Sequence, residues 1–393
     1  MTEIMLQCPV RKKCGGCQLS NMTYKEQLSF KQAKVIRLLG KFHRVGEIVP
    51  SPRKLHYRNK VQAAFGRTRR GEILSGVYQS STHNIVKTDA CCIEDELADA
   101  IIVAIRHLVK SFGLTVYDER NGRGFLRHVL VKRAFATGEV MVVLVTGTQV
   151  FPSKNAFCAR LRELFPEITT ILLNVNDRYT SLVLGERETV LYGPGYITDE
   201  LCGLRFRISS KSFYQINRDC AELMFTQALE LTGLTGNEVV VDAYSGVGTI
   251  GLIAARKAKR VISVELNRDA VKDACVNAKL NGITNVDFYC ADASDFLAEM
   301  AADNETADLV IMDPPRAGST VKFMKSVVKL CPEKVLYISC NPETLARDLT
   351  YFLKNGYKVK MIRPYDMFPF TEHVETAVIL SREIAQRKQE RKE

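Results

Sequence analysis

Nothing in the 393 residues forms an apolar run of the roughly 18 residues that a membrane span requires, which excludes a transmembrane helix on pattern alone. The start, Met1-Thr-Glu-Ile-Met-Leu-Gln-Cys8, lacks the basic-then-apolar pattern of a secretory leader. Glycine (24) and proline (12) are too few for a collagen-like or low-complexity chain. No internal repeat recurs, so solenoids and propellers are excluded. Disorder is excluded as well, because 46% of residues are hydrophobic and 25% charged. The expectation is a soluble, cytoplasmic globular protein, with two or three domains at ~150 residues each.

Charge is unevenly placed. Residues 1–130 hold 22 Lys/Arg against 11 Asp/Glu, which is the whole net charge of +11, and the remainder holds 33 of each. A one-sided excess of this kind points to a polyanionic partner, nucleic acid first.

Twelve cysteines without a secretory leader read as thiols rather than disulfides. Cys8, Cys14 and Cys17 form C-x5-C-x2-C, and a doublet follows at Cys91 and Cys92. Three thiolates with one distant cysteine suit a cubane iron–sulfur cluster, and a four-cysteine zinc site is the physical alternative. The C-x3-C-x2-C spacing of radical chemistry is absent. Most of the scattered cysteines (Cys158, Cys202, Cys220, Cys275, Cys290, Cys331) are expected to be small buried hydrophobes.

Three regions emerge along the chain. Residues 1–92 are a basic, cysteine-bearing region containing an amphipathic helix over 24–39, which can dock on another domain. A central α+β domain over 93–204 is continuous with 40–92, through strands interrupted at Gly66, Gly71 and Gly76. Over 205–393, apolar strands alternate with helices, which predicts a doubly wound, largely parallel α/β sheet of Rossmann type. The tail over 384–393 is charged and expected to fray.

In that last domain Val239-Val-Val-Asp242 runs into Ala-Tyr244-Ser-Gly246-Val-Gly248-Thr-Ile-Gly251. The glycines allow a tight turn and close ligand approach at a strand's carboxyl end. The next strand ends at Glu265, where a carboxylate can accept bonds from ribose hydroxyls. Read alone, the loop also fits a nicotinamide-dependent oxidoreductase. A later strand ends in Asp313-Pro-Pro-Arg316, whose prolines fix the backbone over the crevice. Another delivers Cys340-Asn341-Pro342 at a helix start, a position expected to favour thiolate.

Taken in order, C-x5-C-x2-C, Ser212-Phe-Tyr-Gln215-Ile-Asn217, Asp-Ala-Tyr-Ser-Gly-Val-Gly, Asp-Pro-Pro-Arg, Ser-Cys-Asn-Pro and His373-Val-Glu375 closely resemble the RNA uracil-C5-methyltransferases dependent on S-adenosylmethionine (SAM). The nearest branch is the one carrying an iron–sulfur cluster and acting on 23S ribosomal RNA. The resemblance implies that Cys340 is the nucleophile adding to uracil C6 and Glu375 the base. It implies that Gln215, Tyr244, Glu265 and Asp313 bind SAM, with Arg316 holding uracil or phosphate. Cys8, Cys14, Cys17 and Cys91 would hold a [4Fe-4S] cluster, with Cys92 in a hydrophobic slot. Phe213 and Phe368 are expected to be core residues.

The implied substrate is a flipped or single-stranded uridine, and the expected state a monomer. Many relatives carry an N-terminal RNA-binding barrel, whereas here the cysteine cluster begins at residue 8. The alternatives are a transfer-RNA uridine methyltransferase and a non-catalytic RNA-binding assembly factor.

Overall fold

The computed structural model describes residues 5–79, 82, 84–180 and 182–382, so the charged tail over 384–393 lies outside the described residues. Two compact units result. The first comprises Met1–Lys25, Pro52–Asp219 and Pro369–Glu372; the second comprises Glu26–Ser51, Cys220–Phe368 and His373–Glu393. Most of the helix expected over 24–39 therefore belongs to the second unit, and residues 205–219 belong to the first. No described helix is long and apolar enough to cross a membrane.

The chain opens with a short helix, α1 (Arg11–Cys14), and a long one, α2 (Tyr24–Leu39). The first unit then builds β1 (Lys60–Arg67), β2 (Ile73–Tyr78), β3 (Ile85–Lys87), α3 (Glu96–Ser111), β4 (Leu126–Arg133), β5 (Val140–Thr146), α4 (Lys154–Leu164), β6 (Ile168–Val175) and β7 (Arg187–Tyr192). Its sheet runs β3-β2-β1-β4-β5-β6-β7. Every pairing is antiparallel except β5 with β6, where α4 supplies the crossover that a parallel pair needs. Ile101 and Ile105 of α3 and Phe157 and Leu161 of α4 pack with Val129, Val131, Val142 and Leu144 of the central strands. Asp95 starts α3 by accepting the Ala98 N–H at 3.0 Å. A hairpin of β8 (Ile197–Leu201) and β9 (Leu204–Ile208) completes this part of the chain.

The second unit follows with α5 (Arg218–Thr232), β10 (Val239–Asp242), α6 (Thr249–Ala255), β11 (Arg260–Glu265), α7 (Arg268–Leu280), β12 (Val286–Cys290), α8 (Ala293–Ala302), β13 (Leu309–Met312), α9 (Val321–Leu330), β14 (Lys334–Ser339), α10 (Pro342–Lys354), β15 (Tyr357–Tyr365) and β16 (Glu375–Arg382). Its sheet runs β12-β11-β10-β13-β14-β16-β15. The first five strands are mutually parallel, while β16 is antiparallel to both its neighbours. Strand order reverses between β10 and β13, and the crevice outside their carboxyl ends is where such sheets bind ligands. The sequence reading missed α5, α8 and β7–β9.

Val35 and Leu39 of α2 enter the core of this unit with Phe323, Leu349 and Phe352. The same helix buries Lys31 completely, and its Nζ pairs with the equally buried Asp366 and donates to the Phe368 carbonyl at 2.9 Å. Burial pulls the Lys31 pKa down while Asp366 opposes the shift. The other carboxylate oxygen of Asp366 has no partner among the described residues, so the pair depends on Lys31.

Replacing Lys31 with Met strands a buried carboxylate and is expected to destabilise the protein by about 3–5 kcal/mol. Urea unfolding checks this, and the K31M/D366L double variant should recover most of the loss.

Candidate active site

One side of the crevice is built by the turn after β10. Gly246 and Gly248 hold φ of +54° and +83°, conformations that favour glycine. Gly251 is required by space: a Cβ there would lie 2.7 Å from Ser263 Oγ and 2.8 Å from Asp242 Oδ2. The Gly251 N–H donates to that same Asp242 oxygen at 2.8 Å. Burial pushes Asp242 up to about 7, helped by Asp313 and Glu265 and opposed by the Gly251 bond. Glu265 closes the turn, accepting the Gly246 N–H at 3.0 Å on one oxygen and the Asn267 N–H at 2.8 Å on the other. Tyr244 is half-buried and packs obliquely on Phe323 with ring centres 5.1 Å apart.

The sequence reading missed Asp292, which caps α8 by accepting the Ser294 N–H at 2.9 Å and helps to raise the Tyr244 pKa. An acidic residue two positions beyond the end of β12 was the available signal.

The other side of the crevice holds Cys340, Glu375 and Asp313. The ladder between β14 and β16 ends by pairing Ser339 with Thr376, so Cys340, just past β14, and Glu375, the first residue of β16, stand at the same end of it, close enough for Glu375 to raise the Cys340 pKa. Asp313 follows β13, the neighbour of β14 on its other edge. Burial pushes Glu375 up to about 8, with Asp313 raising it further and Arg316 pulling it down. Desolvation alone lifts Asp313 to about 7.

Cys340 departs from the sequence expectation. Its N-terminal helix position is as predicted: Asn341 caps α10 through the Glu343 N–H at 3.0 Å, and Pro342 takes the first turn. Yet the thiol is pushed up to about 11 rather than down. Burial is the largest cause, and the Glu375 and Asp313 carboxylates outweigh Arg316. The helix-end effect is small beside desolvation and two anions.

Gln215 lies in the first unit, half-buried between β9 and α5, where its backbone carbonyl accepts the Asn59 side chain at 2.9 Å. Phe213 is not a core residue, being 65% exposed. The segment alternates, so Ser212 and Tyr214 point inward and Phe213 outward. Phe368 is half-buried, edge-on to His373.

Cys8, Cys14, Cys17, Cys91 and Cys92 line one cavity of about 190 Å³ in the first unit, with Arg58 and Glu94 in its wall. Burial pushes the Cys17 thiol up to about 12, with contributions from Cys14, Cys8 and Cys92. Cys92 is not confined to an apolar slot. It opens on the same cavity, sits 3.7 Å from the Gln7 carbonyl, is raised in part by Cys8 and in turn helps to raise Cys17. Cys91 is half-buried beside Glu94. Among the described residues, no three Cys, His, Asp or Glu side chains group closely enough to hold one metal ion. Of the scattered cysteines only Cys158 and Cys220 are buried; Cys290 and Cys331 are exposed at element ends.

Residues 186–383 match the family described as tRNA (Uracil-5-)-methyltransferase. An uncharacterized RNA methyltransferase of Halalkalibacterium halodurans is 40% identical over 378 residues, covering 95% of this chain and 82% of the relative. One of Clostridium acetobutylicum is 40% identical over 382 residues, covering 95% and 83%. Among solved structures, the Pyrococcus abyssi tRNA (uracil-54, C5)-methyltransferase in complex with S-adenosyl-L-homocysteine superposes with a TM-score of 0.76 at 28% identity, covering 96% of this chain and 88% of that one.

The raised Glu375 pKa has a sign that can be tested. A carboxyl whose folded pKa lies above its unfolded value contributes stability below the unfolded pKa, and that stability is lost as pH rises through the folded one, from about 4.5 to about 8. Glu375→Gln should therefore melt higher than the parent at pH 8 and no higher at pH 4. Thermal unfolding of both proteins across that range checks it.

Proposed function

The chain belongs to the SAM-dependent RNA uracil-5-methyltransferase family, and from that premise we propose that it methylates C5 of a specific uridine in 23S ribosomal RNA through a covalent Cys340 adduct. The observation that carries this reading is the apposition of Cys340 and Glu375 across the β14–β16 ladder, with Asp313 and Arg316 beside them. SAM, when bound, supplies an electrophilic methyl group, and Tyr244, Glu265 and Asp313 line the turn and crevice proposed to hold it. Gln215 is assigned to the same role by its motif.

Cys340 thiolate bonds to C6 of the ring, and the electron pair of the C5–C6 double bond shifts to make C5 nucleophilic. After C5 has gained the methyl group, Glu375 removes the C5 proton. The electron pair of that C–H bond restores the double bond and expels the Cys340 thiolate. A base at about 8 is suited to accept a weakly acidic proton near neutral pH. Arg316 favours the thiolate against the burial and the two carboxylates that raise the thiol to about 11. A base stacked in an RNA duplex cannot present its C5 and C6 to a group as buried as Glu375, so the uridine is flipped or unpaired.

Cys8, Cys14, Cys17 and Cys91 are proposed to hold a [4Fe-4S] cluster, and five thiols around one cavity support it. Each thiolate of a cubane binds a separate iron, a wider arrangement than four ligands on one ion. The cluster would tie the N-terminal segment to the connection between β3 and α3, within the basic third of the chain. Cys92 is the rival fourth ligand. The transfer-RNA reading is the second, favoured by the Pyrococcus abyssi neighbour.

Incubation with methyl-labelled SAM and undermodified 23S rRNA should place label at uridine C5, whereas label in transfer RNA alone would select the second reading. Cys340→Ala should abolish transfer and adduct formation, while Glu375→Gln should accumulate a protein–RNA adduct on denaturing gels. Protein purified without oxygen should contain iron and acid-labile sulfide at about four each per chain. Comparing Cys91→Ser with Cys92→Ser identifies the fourth ligand by which of the two variants loses the cluster.

A further inference from the structure

The loop that carries Asp313 and Arg316 is clamped from below by a polar cluster centred on the buried Asp348, which the proposed chemistry does not use. At Gly318 φ is +77°, and a Cβ there would meet Arg347 Nη2 at 2.6 Å and Asp348 Oδ2 at 2.8 Å. The loop backbone thus rests directly on α10. Asp348 is fully buried and acts as the hub. Its Oδ2 accepts the Ser319 N–H at 2.8 Å and the Tyr337 hydroxyl at 2.6 Å, and its Oδ1 accepts Arg347 Nε at 2.8 Å. Arg347 Nη2 in turn donates to the Ala317 and Ser319 carbonyls at 3.1 and 3.0 Å. Asn341 Nδ2 and Thr344 Oγ1 both donate to the Arg316 carbonyl, at 3.2 and 3.3 Å.

These contacts join the three parts of the crevice. Tyr337 lies on β14, three residues before Cys340, and Asn341 directly follows that cysteine. The Ser319 hydroxyl lies beside the Tyr244 phenol, at the cofactor turn, and is otherwise buried without a partner. A carboxylate is needed at the hub. Three donors converge on its two oxygens, and an amide would offer one oxygen and turn its own N–H donors toward one of them. Bonds to an ionised acceptor are shorter and roughly twice as strong as neutral ones, which suits a loop that must be ordered before substrate arrives.

We propose that Asp348 is a positioning residue that locks the 313–319 loop to α10 and so sets Arg316 and Asp313 at their working places beside Cys340. The proposal rests on the methyltransferase reading for its catalytic consequence, but the lock itself can be measured without any substrate.

The test compares the full-length protein with Asp348→Asn and Thr344→Val. Amide hydrogen exchange over 316–319 should rise in Asp348→Asn, the Ser319 amide most, with the rest of α10 little changed. Alkylation of Cys340 by iodoacetamide, followed by peptide mass mapping, should shift to higher pH in that variant, toward the profile of Arg316→Ala. Methyl transfer should lose on the order of tenfold to hundredfold in kcat, the loss a misplacement of about 1 Å brings, with the KM for SAM within about twofold. Thr344→Val, which removes one bond to the Arg316 carbonyl, should move the same readouts by less. It decides the matter if Asp348→Asn does not fold.

Unchanged exchange at 316–319 and an unchanged Cys340 alkylation profile in a folded variant would overturn the proposal. Faster exchange in a variant of a parent that methylates no RNA would instead sink the functional reading and leave the lock in place.

Discussion

The ladder between β14 and β16 is the constraint on which the site depends. In a wholly parallel sheet every strand would present its carboxyl end to the crevice, and strand starts would lie at the far edge. Because β16 enters antiparallel between β14 and β15, its first residue reaches the end where β14 finishes. A carboxylate at the start of one strand thereby meets a thiol at the end of another, 35 positions earlier in the chain. No local motif could bring the two together. The geometry comes from hydrogen-bond register, and a slip of one residue would turn Glu375 to the opposite face.

Apposition sets the electrostatics. Glu375, Asp313 and Asp242 are all lifted above the ordinary carboxyl range, chiefly by burial, and each lies near another anion. Cys340 is raised by the same environment. Raised pKa values of this kind reflect stability given up where several titratable groups are buried together. Arg316 is the opposing charge common to Cys340 and Glu375, and the backbone around it is bonded to Asp348, Arg347, Asn341 and Thr344.

The first unit obeys a different logic. Its largely antiparallel sheet with two covering helices needs no crevice, and its five N-terminal cysteines line one cavity. Arg11, Lys12 and Lys13 form most of α1 between two of those cysteines, so cation density and thiols occupy one stretch of chain.

Several elements were legible in the sequence because their causes are local. The glycine turn after β10, the proline-braced Asp313 and the Asn341–Pro342 helix start each follow from the conformational limits of the residues present. Alternation of apolar strands and helices announced the doubly wound sheet for the same reason. The short α8 and the polar, exposed β7 escaped because their apolar periodicity is weak.

The tertiary structure decided the rest. The outward turn of Phe213, the shared cavity of Cys91 and Cys92, and the hub role of Asp348 depend on neighbours distant in sequence. The direction of the Cys340 shift shows the division most clearly. The sequence by itself determined that a thiol would stand at a helix start, where the backbone favours its anion. Only the folded crevice added burial and two carboxylates, and those desolvation and charge effects are larger than the helix-end field they oppose.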